Sequence, residues 1–342
     1  MGVALTPLLM PHETSIAELK GKVFAVDAFN ILYQFLTTIR ARDGTPLSDS
    51  KGNVTSHLIG LFSRTTNLMG EGLKLVFVFD GEAPELKRKE RERRKALKQE
   101  AQQLFDAAKA KEDVDEMRKY AGRTARLDRA MVEEARKLLD ALGIPCIQAP
   151  SEGEAQASYL VKRGDAYAVI SQDADAFLFG AQRVIRNLAV TGRKKQKSAL
   201  AFETVHPERF ELDETLRALA IDQERLIALA MLVGTDFNPG GVKGLGPKKA
   251  LALVREAPSL EELFSLAKWS ESVETDWREI LKTFQEMPVT DEYALRWRAP
   301  DEAAILRLLV DEHEFSRERV LSSLEKLKSS SAANQRGLGE FF

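Results

Sequence analysis

Residues 73–84 read LKLVFVFDGEAP. From Leu75 to Phe79 no polar residue breaks the run, which is built of Leu, Val and Phe. A strand exposed on one face would alternate apolar with polar residues. This one reads as buried on both faces, as in a sheet covered by helices on either side. Similar runs occur at 22–26 (KVFAV) and 166–171 (AYAVIS). Helical patterns intervene at 28–40, 56–71, 125–142 and 152–163. That alternation predicts an α/β fold with a largely parallel central sheet flanked by helices. Ligands of such sheets gather outside the carboxyl ends of the strands. The three runs end at or beside Asp80, Asp27 and Asp173.

Four more acids share this setting: Glu152 and Glu154 in PSEGEA, Asp175 in SQDAD, and Asp236 closing MLVGTD. Taken singly they have ordinary explanations. Asp27 and Asp80 suit a helix N-cap or an Asp-Gly turn, and SEGEA suits a capped first helical turn. The paired spacings, 152/154 and 173/175, let two carboxylates face one cleft from a short segment. If the fold gathers all seven, each pair ~4 Å apart costs on the order of 4 kcal/mol at an effective dielectric of ~20. Protons or cations must neutralise such a cluster. Oxygen-only ligands point to Mg²⁺ or Mn²⁺, and the chemistry suggested is two-metal phosphodiester hydrolysis.

The chain of 342 residues carries 50 basic and 52 acidic side chains, so its net charge of −2 hides how they are distributed. Cys146 is the one cysteine, which excludes an intrachain disulfide and a thiolate metal cluster. Neither an apolar run of ~18 residues nor a secretory leader is evident, so a cytoplasmic or nuclear protein is expected. Charge is concentrated at 87–98, where eight Lys or Arg stand against two Glu. This stretch opens a region, 86–122, of strong helix formers with few large apolar residues, expected to form exposed helices between Asp80 and Glu152. Lys87 and Arg94, seven apart, share a face of that helix. A second basic patch, TGRKKQK at 191–197, is expected on a loop after RVIRNLAV.

GVKGLGPKKA at 241–250 combines a glycine turn (Gly244, Gly246) with a helix start near Pro247 and with Lys243, Lys248 and Lys249. That is an anion site without P-loop spacing, suited to gripping duplex DNA by its phosphates. Tyr33, six residues after Asp27, is either core or a base-stacking platform. From about Ser329 the composition turns to Ser, Ala, Asn, Gln and Gly, which reads as a flexible tail. It ends in QRGLGEFF, with Gln335, Leu338, Phe341 and Phe342 in a Q-x-x-L-x-x-F-F pattern that reads as a docking peptide.

With these residues the chain resembles the flap endonucleases of the structure-specific 5′ nuclease superfamily. The resemblance rests on VDAFNILYQF, TSHLIGLFSRT, VFVFDGEAPELK, GIPCIQAPSEGEAQA, SQDADAFLFG, LVGTDFNPGGVKGLGPKKA and QRGLGEFF, in that order. It implies a PIN-like fold over residues 1–328, with a helical arch at 87–130, a helix–two-turn–helix at about 226–254 and a clamp-binding motif at 335–342. It implies two Mg²⁺ ions, replaceable by Mn²⁺, on Asp27, Asp80, Glu152, Glu154, Asp173, Asp175 and Asp236, and a K⁺ at the helix–two-turn–helix. Lys87 and Arg94 would act on the scissile phosphate, and Tyr33 would stack on the adjoining nucleotide. Arg40, Thr55 and Phe315 would line a pocket for a one-nucleotide 3′ flap, where His313 replaces the Lys of many relatives. The partners implied are branched double-stranded DNA with a 5′ flap and a sliding clamp of the proliferating cell nuclear antigen type, bound by a monomer. The activity implied is Mg²⁺-dependent cleavage of 5′ flaps in replication (Okazaki fragment processing) and repair, with 5′–3′ exonuclease action at nicks and gaps. The terminal motif resembles the archaeal enzymes, for which a cytoplasmic, nucleoid-associated location is expected. Two other classes stay open: a non-catalytic clamp-bound DNA scaffold, and a related acid-cluster ribonuclease.

Overall fold

The computed structural model describes residues 5–188, 193–195, 202–204 and 206–339. Nine strands occur among them: β1 (His12–Glu13), β2 (Val23–Asp27), β3 (Lys74–Phe79), β4 (Cys146–Gln148), β5 (Ala168–Ile170), β6 (Arg183–Arg186), β7 (Arg193–Lys195), β8 (Phe202–Thr204) and β9 (Glu208–Glu211). Seven of them form one sheet in the order β1-β9-β6-β5-β2-β3-β4. The five from β6 to β4 run parallel, and β9 and β1 close one edge antiparallel. The largely parallel sheet expected from the apolar runs is therefore present.

β3 explains why those runs were readable. Val76 and Val78 enter the core on one face, while Leu75, Phe77 and Phe79 enter the core on the other. On the valine face lie the helices Gly153–Arg163 and Gln223–Val233; on the phenylalanine face lie Ala28–Thr38, Ser56–Gly70 and Arg129–Ala141. Burying a side chain of this size stabilises by about 1.5–3 kcal/mol, so neither face tolerates a polar residue. Among the described residues no helix is long and apolar enough to cross a membrane.

Between β3 and β4 the chain leaves the sheet as two helices, Arg88–Ala110 and Val114–Ala121. They pack on each other through Phe105, Ala108, Met117 and Ala121, a small core separate from the two beside the sheet.

Three details differ from the sequence reading. The helix expected over 125–142 begins at Arg129, because the Asp128 side chain accepts the Met131 N–H and caps it there. Arg193–Lys195, expected on a loop, pairs antiparallel with Phe202–Thr204 in a two-stranded ribbon; the rest of the 191–197 patch lies outside the described residues. The helix Arg317–Gly339 crosses the start of the stretch read as a tail, with Gln335 and Leu338 on its backbone. Phe341 and Phe342 lie outside the described residues.

Candidate active site

Strand order decides which acids meet. β5, β2, β3 and β4 are neighbours in the sheet, and their carboxyl ends deliver Asp173, Asp27, Asp80 and the segment carrying Glu152. Asp27 ends β2 and caps the next helix, its Oδ1 accepting the Asn30 N–H at 2.9 Å. The cap reading of Asp27 is therefore met, and the cap leaves the residue at the strand end. Asp80 Oδ1 accepts the Gly153 N–H at 2.7 Å. Asn30 Nδ2 donates to Asp173 Oδ2 at 3.2 Å, and Ser171 Oγ lies 3.4 Å from Glu154 Oε1 while accepting the Asp173 N–H at 3.1 Å.

The protonation behaviour follows from this crowding. Burial raises Asp27 to about 7, and the charges of Asp80 and Glu152 add to it. Burial, with Glu152 beside it, raises Asp80 to about 6. Glu154 is pushed well above its ordinary range by burial and by Asp175, Asp27 and Asp173. Three carboxyls that resist ionisation mark a place short of positive charge.

Part of that charge comes from the helix Arg88–Ala110 and the residue before it. Lys87 Nζ is paired with Glu152 and lies 3.2 Å from Asp236 Oδ2. Burial works against its charge, but Glu152 and Asp236 outweigh burial and raise the ammonium above its ordinary value. Arg94 Nη2 reaches Asp236 Oδ1 at 2.5 Å. Among the described residues no group of three or more His, Cys, Asp or Glu side chains is arranged to hold a metal ion as it stands. Lys87 and Arg94 engage Glu152 and Asp236 instead.

Tyr33 faces the helix Arg88–Ala110. It is half-buried while its neighbours Leu32, Phe35 and Leu36 are buried, and Lys98 Nζ lies 4.5 Å from its ring centroid and donates to its hydroxyl at 3.2 Å. Arg40 spends its guanidinium on backbone, donating from Nε to Leu36 O and from Nη1 to Gly44 O, each at 2.8 Å. Thr55 is buried and donates its N–H to Leu47 O at 2.7 Å, and Phe315 packs half-buried against the phenylalanine-face core. The 40–55 segment is tied to the turn at 312–314 by Glu314, which accepts the Ser50 N–H at 2.8 Å. His313 is buried between Asp49 Oδ2 at 3.4 Å and Glu134 Oε1 at 3.5 Å. A Lys at that position would carry a longer and more mobile charge.

The helices Gln223–Val233 and Pro247–Glu256 are joined by a double turn. Asn238 organises its first half, donating to Met231 O and accepting the Thr235 hydroxyl, each at 2.6 Å. Gly241 has φ +57, and a Cβ there would stand 2.5 Å from Leu232 O, so the turn closes only over glycine. Lys243, Gly244, Gly246, Lys248 and Lys249 are exposed around the start of the second helix.

Sequence reasoning missed Asn30, Ser171, Lys98 and Glu90. Glu90 left a signal, an acid four residues before Arg94 on one helix, the favourable order for such a pair.

Residues 1–101 match the XPG N-terminal domain and residues 143–236 match the XPG I-region. Flap endonuclease 1 of Pyrococcus horikoshii is 51% identical over 335 residues, covering 98% of this chain and 96% of that protein. Flap endonuclease 1 of Hyperthermus butylicus is 50% identical over 340 residues, covering 98% and 97%. The structure of flap endonuclease-1 from Methanococcus jannaschii superposes with a TM-score of 0.76 at 43% identity, over 97% of this chain and 100% of that one. The catalytic core of Rad2 in complex with DNA substrate, 24% identical with a TM-score of 0.70, shares the fold. This chain belongs to the flap endonuclease family.

Proposed function

We propose that this protein is a Mg²⁺-dependent endonuclease that cuts 5′ flaps from branched DNA in replication and repair, with 5′–3′ exonuclease action at nicks and gaps. One observation carries the reading. Asp173, Asp27, Asp80 and Glu152 follow four adjacent parallel strands, Asp27 and Glu152 buried and the other two half-buried, and Lys87 and Arg94 bring positive charge against Glu152 and Asp236. A scaffold has no use for carboxylates that repel one another, and a generic ribonuclease has none for the basic arch and the glycine–lysine turn.

The donor set is all oxygen and acidic, which fits hard divalent ions. Asp80, Glu152 and Glu154 would chiefly hold one, Asp173 and Asp175 another, with Asp27 and Asp236 in support. When bound, the ions supply Lewis-acid charge to the attacking and leaving oxygens. The protein groups do the rest. The Gly153 N–H and Asn30 Nδ2 aim Asp80 and Asp173, and Ser171 spans Glu154 and the Asp173 backbone. An incoming phosphate would take Lys87 and Arg94 from Glu152 and Asp236, so positive charge moves to the reacting group. Tyr33 would stack on the nucleotide beside the cut. Lys243, Lys248 and Lys249 with the turn glycines would hold duplex by its phosphates, with a K⁺ ordering the turn. Arg40, Thr55 and Phe315 would border a 3′-flap pocket. Residues 335–342 would recruit a sliding clamp, and the protein would act as a monomer in the cytoplasm.

The test is cleavage of a 5′ flap, a pseudo-Y, a gapped duplex and a Holliday junction, each with Mg²⁺ and with EDTA. Preferential Mg²⁺-dependent cutting of the flap is expected. Binding without cutting would favour the scaffold, and cutting of RNA alone would favour the ribonuclease.

A further inference from the structure

Glu90 stands in the basic first half of the helix Arg88–Ala110, yet its side chain is only 5% exposed. Glu92, the other acid of the 87–98 run, is exposed. Both oxygens of Glu90 are engaged by arginines. Oε2 accepts from Arg93 Nε at 2.6 Å, and Oε1 accepts from Arg93 Nη2 at 2.8 Å and from Arg94 Nε at 2.6 Å. Arg94 is therefore held at two points of one planar group, Nε on Glu90 and Nη2 on Asp236.

The two contacts differ in kind. Asp236 belongs to the acid cluster across the cleft, 142 residues away in sequence, whereas Glu90 is one helical turn back on the same helix. A phosphate entering the site competes for Nη2 but leaves Nε in place. The i,i+4 contact also exists only while residues 90–94 are helical. We propose that Glu90 is a positioning residue that fixes the plane of the Arg94 guanidinium, so that its free edge meets the scissile phosphate when the arch is helical there. This rests on the reading of Arg94 as a phosphate-contacting residue. The plainer alternative is that Glu90, in the first turn of Arg88–Ala110, only complements the helix dipole.

The experiment is a double-mutant cycle on single-turnover flap cleavage with the full chain and saturating Mg²⁺. Glu90→Ala should slow cleavage about 10–100-fold, as expected for a misplaced reacting group, with flap affinity little changed. In the Arg94→Ala background the same substitution should have almost no further effect. Glu90→Gln keeps an acceptor for Nε and should recover most of the rate, which also guards against loss of the arch in Glu90→Ala. Equal losses in both backgrounds, or coupling to Arg93→Ala in place of Arg94→Ala, would overturn the inference. Arg94→Ala cleaving at the unsubstituted rate would instead remove the phosphate role of Arg94, and the inference with it.

Discussion

Asp80 Oδ1 accepts the backbone N–H of Gly153 at 2.7 Å, which ties the end of β3 to the first turn of the helix Gly153–Arg163. One hydrogen bond thus sets the relation between two groups of acids, Asp80 on one side and Glu152 with Glu154 on the other. The contact needs glycine, since a Cβ on residue 153 would stand 2.6 Å from that carboxylate oxygen.

Gly153→Ala should therefore leave a folded protein with a displaced Asp80. We expect single-turnover cleavage to fall by about 100-fold, in line with misplacement of a reacting group by ~1 Å. The stability loss should stay within about 1–3 kcal/mol, as for an added methyl in a packed site. Thermal melting beside cleavage rates checks both. A full-rate variant would mean that the Asp80 carboxylate is not held by this contact in the working enzyme.

Asp175→Ala should abolish cleavage and spare flap binding. Removing this carboxylate weakens the donor set but also lessens repulsion of the phosphates, so affinity should hold or rise. Cleavage within about tenfold of the unsubstituted rate would limit its contribution to ~1.4 kcal/mol of barrier and end its role as a metal ligand.

The carboxyl shifts predict an unusual pH dependence for the metal-free protein. Asp27 rises from 3.8 to about 7 and Asp80 from 3.8 to about 6, burial being the main cause in both. Between the ordinary and the raised values the folded state binds more protons than the unfolded one. Stability should therefore fall as pH rises from about 4 to 7, by on the order of a few kcal/mol with both groups acting. In EDTA the melting temperature should decline over that window, and Mg²⁺ should remove the decline by stabilising the ionised cluster. A melting temperature that rises with pH in EDTA would contradict the crowding of Asp27 with Asp80.

Much of this site was legible because a strand buried on both faces excludes polar residues, so the first acid after it stands out. Asp27 and Asp80 were visible for that reason, and the sheet order then brought them together. What stayed hidden depended on contacts between distant segments or on composition that masks a single residue. Glu90 was counted only as one of two acids among eight basic residues, and nothing local showed it would be buried under two arginines. His313 could be noted as an unusual residue, but its place between Asp49 and Glu134 comes from three separate segments. Arg193–Lys195 has no apolar alternation from which a strand could be read. Ser329 onward reads as loose by composition, yet the helix Arg317–Gly339 runs through it.

Lys248→Ala with Lys249→Ala tests the DNA grip of the double turn. Both side chains are exposed at the start of Pro247–Glu256, where backbone N–H groups and lysines converge. Binding should weaken alike for all duplex sequences, and each lost phosphate contact should lower the slope of log affinity against log salt by ~0.9. An unchanged slope would move duplex binding to another surface.

Deleting residues 335–342 tests the terminal motif apart from the chemistry. Gln335 and Leu338 lie far along the chain from the acid cluster, at the end of the helix Arg317–Gly339, and the two aromatics follow it. Aromatics dominate small interfaces because they bury much area with few rotors. Ordering an octapeptide on a clamp costs part of that gain, so affinity in the micromolar range is expected. Tethering would then raise the local concentration of the nuclease at the junction without touching the cleavage step. The truncated protein should cut a free oligonucleotide flap at the full rate and lose all stimulation by the clamp. Loss of intrinsic cleavage would instead assign Phe341 and Phe342 to the fold.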